Sequence, residues 1–358
     1  MNLKQNNIME NTSKIGVLLI NLGTPDSPSV GDVRKYLREF LMDRRVIDIP
    51  WIRRFFLINF IIAPFRSPSS AKAYQKLWTK EGSPLKTHGM ALTQILQESL
   101  GNKYLVVLGM RYQSPSIKEA ASRLKEAGVR KIICVPLYPQ YASSSTGSSI
   151  EEFFKIIRSW EVIPETRVLS QFFGHPLFID AFKQRAETLL AKKKYDHVIF
   201  SYHGLPERQI RSSSFEKYCQ INEKCCANYF HKNQHCYRAQ CFATSRLLAE
   251  ALHIPKESYT VCFQSRLGKT PWIRPYTDDV IVDLGKRGIK KVLAFSPSFI
   301  ADCLETTVEV GEEYKHLFIQ SGGEEWDLVE SLNTHPRWVE CLQSIILQCT
   351  GGQAKLIF

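Results

Sequence analysis

The sequence predicts an α/β protein made of two similar, doubly wound halves with parallel sheets. Two observations carry this prediction. Short β-branched runs alternate with helix-length amphipathic segments along the chain, and one pattern of helix, glycine break and strand occurs twice. Such alternation is typical of βαβ units, in which crossover helices cover a parallel sheet. With 358 residues and 44% apolar content, the chain is long enough for two domains, each with its own core.

Six strands are predicted from short runs rich in Val, Ile, Leu and aromatic residues. Their ranges are 15–21, 104–108, 131–135, 197–202, 259–263 and 291–295. Strands that are buried on both faces read as nearly continuous apolar runs. The segments between them are long enough for crossover helices, so the strands should pair in parallel.

The repeated pattern indicates that the two halves are related. Residues 127–136 read Ala-Gly-Val-Arg-Lys-Ile-Ile-Cys-Val-Pro, and residues 287–296 read Arg-Gly-Ile-Lys-Lys-Val-Leu-Ala-Phe-Ser. Each predicts a helix end, a glycine break and a parallel strand. We therefore expect an N-terminal domain at 14–180 and a C-terminal domain at 181–345.

Charge and the N-terminus limit the class of protein. The 47 basic and 35 acidic side chains leave a formal charge of +12, which favours acidic partners. Basic residues are spread through the chain rather than clustered with aromatic residues, so nucleic acid is not expected as a partner. The first ten residues are polar and carry no visible secretory or transit signal, which predicts a cytoplasmic location.

The longest apolar run, residues 55–65, is much shorter than the roughly 20 residues that span a bilayer. Arg53 and Arg54 precede it and Arg66 follows it. Three interpretations stay open. The run is a buried core helix, the lip of an apolar cleft, or a peripheral contact with the inner face of the membrane.

Residues just after the strands are the candidates for a site, because ligands of open parallel sheets bind beyond the carboxyl ends of the strands. His203 has this position, and Gly204 lets the chain turn sharply after it, so His203 is the favoured general base. Glu305, Glu309 and Glu313 are spaced i, i+4 and i+8, so a helix there would align them in one stripe. Such a stripe is either a solvated acidic face or a relay for protons or cations.

Half of the ten cysteines lie within 23 residues, a short way downstream of His203. They are Cys219, Cys225, Cys226, Cys236 and Cys241. In a reducing cytosol, clustered cysteines indicate metal ligands or reactive thiols more often than disulfides. The spacing matches no standard zinc-finger pattern.

These motifs together resemble the ferrochelatase family, from about residue 14 to 340. The matching blocks are Asn21-Leu-Gly-Thr-Pro-Asp, Phe40-Leu-Met-Asp-Arg-Arg-Val-Ile-Asp, Gly82-Ser-Pro-Leu, Gly109-Met-Arg-Tyr, Leu137-Tyr-Pro-Gln-Tyr, Ser201-Tyr-His-Gly-Leu-Pro, Phe263-Gln-Ser-Arg-Leu-Gly, Pro271-Trp, Pro275-Tyr-Thr-Asp and Asp302-Cys-Leu-Glu-Thr, in family order. The resemblance implies two Rossmann-like domains with a porphyrin cleft between them. It also implies a lyase of haem biosynthesis that inserts Fe²⁺ into protoporphyrin IX to form protohaem. Coproporphyrin, another tetrapyrrole with another metal, and a non-enzymatic porphyrin or haem carrier remain alternatives.

The resemblance also implies roles for particular residues. His203 and Glu305 resemble the catalytic pair that faces the incoming Fe²⁺, and Asp302, Glu309 and Glu313 resemble a proton or metal path. Candidates for binding the porphyrin are Tyr112, Trp272 and Phe299 for the ring, and Arg44, Arg45 and Arg111 for the propionates. Cys303 stands where many relatives have a second histidine, so a role for that imidazole is not carried over.

The cysteine segment, residues 212–241, resembles that of some bacterial members, which hold a [2Fe-2S] cluster in an internal segment. This implies Cys219, Cys226, Cys236 and Cys241 as its four thiolate ligands, with Cys225 as the alternative to Cys226. Zinc, with His231 or His235 as a further ligand, and unligated thiols stay open. Ser143 replaces a cluster cysteine of animal relatives, so an animal-type cluster is not expected.

Overall fold

The computed structural model describes residues 14–266, 268 and 270–351, and the prediction for the first ten residues lies outside this range. The first sheet has four parallel strands in the order β2-β1-β3-β4. They are β1 Ile15–Gly23, β2 Tyr104–Tyr112, β3 Lys131–Pro136 and β4 Glu165–Val168. β1 is central and almost wholly buried, which explains its unbroken apolar sequence.

The second sheet repeats this arrangement, with the order β6-β5-β7-β8. Its strands are β5 His197–His203, β6 Tyr259–Gln264, β7 Lys291–Phe295 and β8 Glu325–Leu328, all parallel. The repeated sequence pattern lies in β3 and β7, which have equivalent positions in the two sheets. The predicted fold class is therefore confirmed, and all six predicted strands are present.

Helices flank both sheets. The α-helices are α1 Val30–Leu41, α2 Trp51–Phe56, α3 Ala63–Leu77, α4 Pro84–Leu100, α5 Ile117–Glu126, α6 Ser148–Ile157, α7 Pro176–Leu190, α8 Glu207–Ser212, α9 Glu223–Cys226, α10 Tyr237–Ala251, α11 Thr277–Lys286, α12 Tyr314–Gln320 and α13 Pro336–Thr350. Three π-helical segments, Leu57–Ile62, Ser143–Gly147 and Leu304–Glu313, lead into α3, α6 and α12. Short 3₁₀ turns cover Phe215–Lys217 and Lys256–Ser258.

The largest hydrophobic cluster contains residues from both sheets, so the two halves share a core. Trp338 of α13 is fully buried and its ring packs on Phe172 and Phe178. α13 also packs against α4 and α7, which connects the end of the chain to the first sheet. The predicted boundary at residue 180 falls within α7. The two-domain division stays a prediction.

The apolar run at 55–65 is a surface element and not a buried core helix. Phe56, Phe60 and Phe65 are 58%, 61% and 80% exposed, while Ile58 is buried and anchors the segment. The core interpretation is therefore wrong. In the part of the chain that the structure describes, no helix has the length and apolar character needed to span a membrane.

Candidate active site

A cavity of about 700 Å³ opens at the carboxyl ends of strands from both sheets. The first half contributes residues after β1 and β3, together with α1 and α3. The second half contributes residues after β5, β6 and β7, together with the π-helical segment Leu304–Glu313. Among its lining residues are Tyr36, Phe40, Tyr74, Tyr138, His203, Trp272, Phe299, Glu305, Glu309 and Glu313. The described lining thus combines aromatic rings with the His203 imidazole and with the carboxylates of the three glutamates and of Asp278.

His203 is the last residue of β5, and its ring lines the cavity. Nδ1 lies 2.6 Å from the carbonyl oxygen of Gly204. A carbonyl can only accept, so Nδ1 donates this hydrogen bond, and in the neutral form of the ring Nε2 then has the lone pair that a base or metal ligand requires. Gly204 is needed for this turn, because a Cβ there would lie 2.9 Å from the Gln264 carbonyl oxygen.

The three glutamates lie on a helical segment of the π type, and all three line the same cavity. The first backbone N–H of α12, that of Tyr314, donates to the Glu309 carbonyl five residues earlier. π-Helical turns are rare and frequently occur at functional sites. The Glu309 carboxylate accepts hydrogen bonds from Gln264 Nε2 at 3.0 Å, Ser265 Oγ at 2.7 Å and the Tyr314 hydroxyl at 3.0 Å.

Tyr36 and Tyr74 are functional candidates that the sequence analysis missed. Both are buried, line the cavity and face Glu305. Burial raises the pKa of each phenol, and Glu305 raises the pKa of each further. Both hydroxyls therefore keep their protons near neutral pH and can donate to a carboxylate. They lie within α1 and α3, away from the strand ends where the sequence analysis sought a site.

Two of the predicted aromatic residues, Trp272 and Phe299, line the cavity, and the Trp272 ring centroid is 6.4 Å from that of His203. Tyr112 is fully buried outside the lining, and its hydroxyl donates to Asp43 at 2.9 Å. Asp302 is also outside the lining. Its carboxylate accepts a hydrogen bond from Asn333 Nδ2 at 2.8 Å, and its backbone N–H donates to Asn333 Oδ1.

The predicted propionate arginines are engaged elsewhere. Arg111 forms an ion pair with Asp43 at 2.7 Å, while Arg44 and Arg45 both pair with Glu151. None of the three is among the lining residues. Their predicted role stays a prediction.

Three other arginines do line the cavity, namely Arg66, Arg208 and Arg266. Arg208 pairs with Asp48 and Arg266 with Asp278. Arg66 has no carboxylate partner among the described residues. In the sequence, the one signal at Arg66 is its position directly after the apolar run, and that position does not indicate a cavity.

Comparison with known proteins decides the family. The ferrochelatase family model matches residues 14–349. The chain belongs to the ferrochelatase family. Ferrochelatase of Legionella pneumophila (strain Lens) is 46% identical over 331 residues, covering 92% of this chain and 98% of its own. Ferrochelatase of Coxiella burnetii (strain Dugway 5J108-111) is 45% identical over 334 residues, covering 93% of each chain.

A solved structure, SirB from Bacillus subtilis with Fe³⁺, covers 94% of this chain and 96% of its own, with a TM-score of 0.55. Its 12% sequence identity makes this a likeness of fold alone. Membership of the ferrochelatase family confirms the predicted family and identifies a metal chelatase. The function that follows from it is insertion of iron into a porphyrin.

The cysteine segment of this ferrochelatase-family chain contacts the first half, where Gln171 Nε2 donates to the Tyr229 hydroxyl at 3.1 Å. Cys225, Cys226, Cys236 and Cys241 are buried and Cys219 is half-buried; all are free thiols. The Sγ atoms of Cys225 and Cys226 are 3.8 Å apart. Hydrogen bonds with Cys236 lower the pKa of Cys219 and of Cys226, and Arg238 lowers that of Cys226 further.

Among the described residues, no group of three or more His, Cys, Asp or Glu side chains has the arrangement of a formed metal site. His231 and His235, the predicted zinc alternatives, are exposed, and their rings contact Phe230 and Tyr141.

Proposed function

We propose that this protein inserts ferrous iron into protoporphyrin IX, forming protohaem and releasing two protons. The observation that carries this proposal is that one cavity is lined by His203, by the three glutamates and by aromatic rings. A flat apolar macrocycle with acidic substituents suits such a lining. Cationic side chains at its edge, above all Arg66, would bind the propionates.

The residues supply a route for the two pyrrole protons. His203 Nε2 has a free lone pair and can accept a proton as the metal enters the ring. Glu305 and Glu309 are half-buried, whereas Glu313 is exposed, so the carboxylates run from the cavity to the surface. We propose that Glu305 acts with His203 at the metal, and that Glu309 and Glu313 conduct protons or metal between the cavity and solvent.

The test is anaerobic metallation of protoporphyrin with Fe²⁺, followed by the loss of porphyrin fluorescence. Wild type should metallate, and His203→Ala and Glu305→Gln should bind porphyrin with turnover reduced at least about 100-fold, the scale of a lost general base. His316→Ala, an exposed histidine on α12, is the matched control and should equal wild type. Tight porphyrin binding without metallation by wild type would instead indicate a carrier. Coproporphyrin in a parallel assay identifies the preferred substrate.

We also propose that Cys219, Cys226, Cys236 and Cys241 bind a [2Fe-2S] cluster, with Cys225 as the alternative to Cys226. Three buried thiols and the half-buried thiol of Cys219 suit it in donor chemistry. A second observation supports the fit. Arg238 is 4% exposed, has no carboxylate partner among the described residues, and donates to Cys226 Sγ at 3.0 Å. When bound, the cluster would supply a one-electron redox centre.

The cluster is tested on anaerobically purified protein by its iron and acid-labile sulfide content and by its visible absorption. Cys226→Ser should lose the absorption and at least half of the bound iron, because a thiolate ligand is removed. Cys349→Ser, at a half-buried cysteine on α13, is the control and should retain both. Zinc without sulfide in wild type would replace this proposal with the zinc alternative.

A peripheral membrane contact is proposed for the exposed surface of residues 51–66. Its exposed apolar side chains include Trp51, Ile52, Phe56, Phe60, Ile61 and Phe65. The surface contains no acidic residue, and Arg66 connects it to the cavity. Exposed apolar groups beside cations favour the interface of an anionic membrane.

A further inference from the structure

The cysteine segment touches the surroundings of His203 through two neighbouring residues, Tyr237 and Arg238. They are the first residues of α10, and Cys236 is the N-cap of that helix. Both side chains are buried, with 5% and 4% of their surfaces exposed. A displacement of Cys236 therefore moves both of them.

Tyr237 is connected directly to the end of β5. Its hydroxyl donates to the backbone carbonyl oxygen of His203 at 2.9 Å. In the chain, Tyr237 lies between Cys236, the N-cap of α10, and Cys241, one turn later on the same helix. The backbone of the active-site histidine is thus hydrogen-bonded to a side chain that lies between two candidate cluster ligands.

Arg238 connects the cysteines to the segment that carries Trp272, next to His203. Its Nη1 donates to Cys226 Sγ at 3.0 Å, and its Nη2 donates to the carbonyl oxygen of Arg274 at 3.2 Å. The segment that carries Arg274 runs beside the loop after His203, where the Ile273 N–H donates to the Leu205 carbonyl oxygen at 3.0 Å. Trp272, in the same segment, has its ring 6.4 Å from the ring of His203.

The environment of Arg238 lacks the negative charge that a buried guanidinium needs. No carboxylate pairs with it among the described residues, and its Nε is buried without a hydrogen-bond partner. Burying a charge is unfavourable unless it is paired. A metal centre held by thiolates carries net negative charge, and Cys226 is the candidate ligand that Arg238 already contacts.

We infer that Tyr237 and Arg238 are positioning residues that couple a metal centre on the cysteines to His203. When the cysteines are ligated, the start of α10 is fixed, and with it the backbone of His203 and the segment that carries Trp272. When they are not ligated, His203 loses that support and metal insertion slows. The inference rests on the proposed iron insertion and on ligation of the cysteines, and it adds the residues that connect the two.

Tyr237→Phe tests the connection without removing a ligand. The variant should keep the iron and sulfide content and the visible spectrum of wild type. Its kcat should fall roughly five- to tenfold, the scale of one lost hydrogen bond, while KM for protoporphyrin stays the same. The pH profile of kcat should shift, because the His203 backbone is repositioned. Tyr218→Phe, in the same segment with its ring on Phe230, is the matched control.

Arg238 is tested by the reduction potential of the bound centre, which is a readout independent of activity. Arg238→Gln should lower the midpoint potential, because a cation beside the centre favours the more negative reduced state. Arg238→Lys should restore most of it. Equal potentials in wild type and Arg238→Gln would contradict the assigned role of Arg238.

The closing experiment compares wild type before and after removal of its cysteine-bound metal by a chelator under anaerobic conditions. A drop in kcat with unchanged porphyrin binding, recovered on reconstitution with Fe²⁺ and sulfide, is the expected result. Unchanged kcat, an unaltered Tyr237→Phe variant, or purified protein without metal on its cysteines overturns the coupling and leaves iron insertion intact. Loaded protein that never metallates porphyrin overturns the proposed function instead.

Discussion

Asp43 accepts hydrogen bonds from three side chains and one backbone N–H beside the first sheet. Its carboxylate receives Arg111 at 2.7 Å, Tyr112 at 2.9 Å, the Ser148 hydroxyl, and the backbone N–H of Arg45 at 2.7 Å. Burial by itself would raise the pKa of Asp43, but these hydrogen bonds and the Arg111 charge lower it below its ordinary value. One carboxylate therefore holds two predicted porphyrin-binding residues, Arg111 and Tyr112, away from the cavity lining.

Asp43→Asn should destabilise the protein by about 3 kcal/mol, because it leaves the half-buried Arg111 guanidinium without its counter-ion. Urea unfolding at pH 7 measures this, and Asp26→Asn, in an exposed pair with Lys35, should lose less than about 1 kcal/mol. The pKa of Asp43 is lower in the folded state, so its stabilisation is present above the ordinary value of 3.8 and lost as the pH falls through the folded value. The difference in the free energy of unfolding between wild type and Asp43→Asn should therefore narrow below about pH 4. A difference that stays constant with pH would contradict the lowered pKa of Asp43.

At the scale of an element, the surface of residues 51–66 combines apolar and basic groups on two helices joined by a π-helical segment. Ile58 and Arg54 are buried and hold the element in place, and Arg54 donates to the carbonyl oxygens of Ile47 and Ile49. The exposed side chains can therefore change without loss of the anchor.

Phe56→Ser combined with Ile61→Ser should abolish most binding to liposomes that contain anionic lipid, because it removes two exposed apolar side chains from this surface. Sedimentation with vesicles measures the bound fraction, which should also fall with added salt. Val162→Ser with Ile163→Ser, a second pair of exposed apolar residues, is the matched control. If the two double variants bind liposomes equally well, the membrane proposal is wrong.

At the scale of the whole molecule, the cavity lies where the carboxyl ends of both sheets meet, and residues from both halves line it. A ligand held there contacts both halves at once. Because it binds only the folded protein, it stabilises that state by about 2.7 kcal/mol at 100 times its dissociation constant.

Protoporphyrin should therefore raise the melting temperature of wild type, as measured by thermal unfolding without metal. Ser70→Trp fills part of the cavity from α3 and should reduce or remove this shift, since Ser70 is a lining residue. Ser69→Trp, at the adjacent exposed position, should retain it. The same shift in both variants would place the porphyrin elsewhere.

Much of the fold was predictable, because central parallel strands are apolar on both faces. β4 and β8 were missed. They have four residues each, Glu-Thr-Arg-Val and Glu-Trp-Asp-Leu, and as sheet edges they are only partly buried. β2 was predicted to end at residue 108 but continues to Tyr112, so Arg111 and Tyr112 belong to the strand rather than to the loop beyond it.

The sequence by itself determined the α/β class, the family and the convergence of His203 with Glu305, Glu309 and Glu313. It could do so because strand ends share one edge of a parallel sheet. Only the tertiary structure decided which arginines line the cavity, that Tyr36 and Tyr74 face Glu305, and that Tyr237 supports His203. Those contacts join residues distant in the chain, and their geometry depends on how helices pack against the sheets, which no local pattern records.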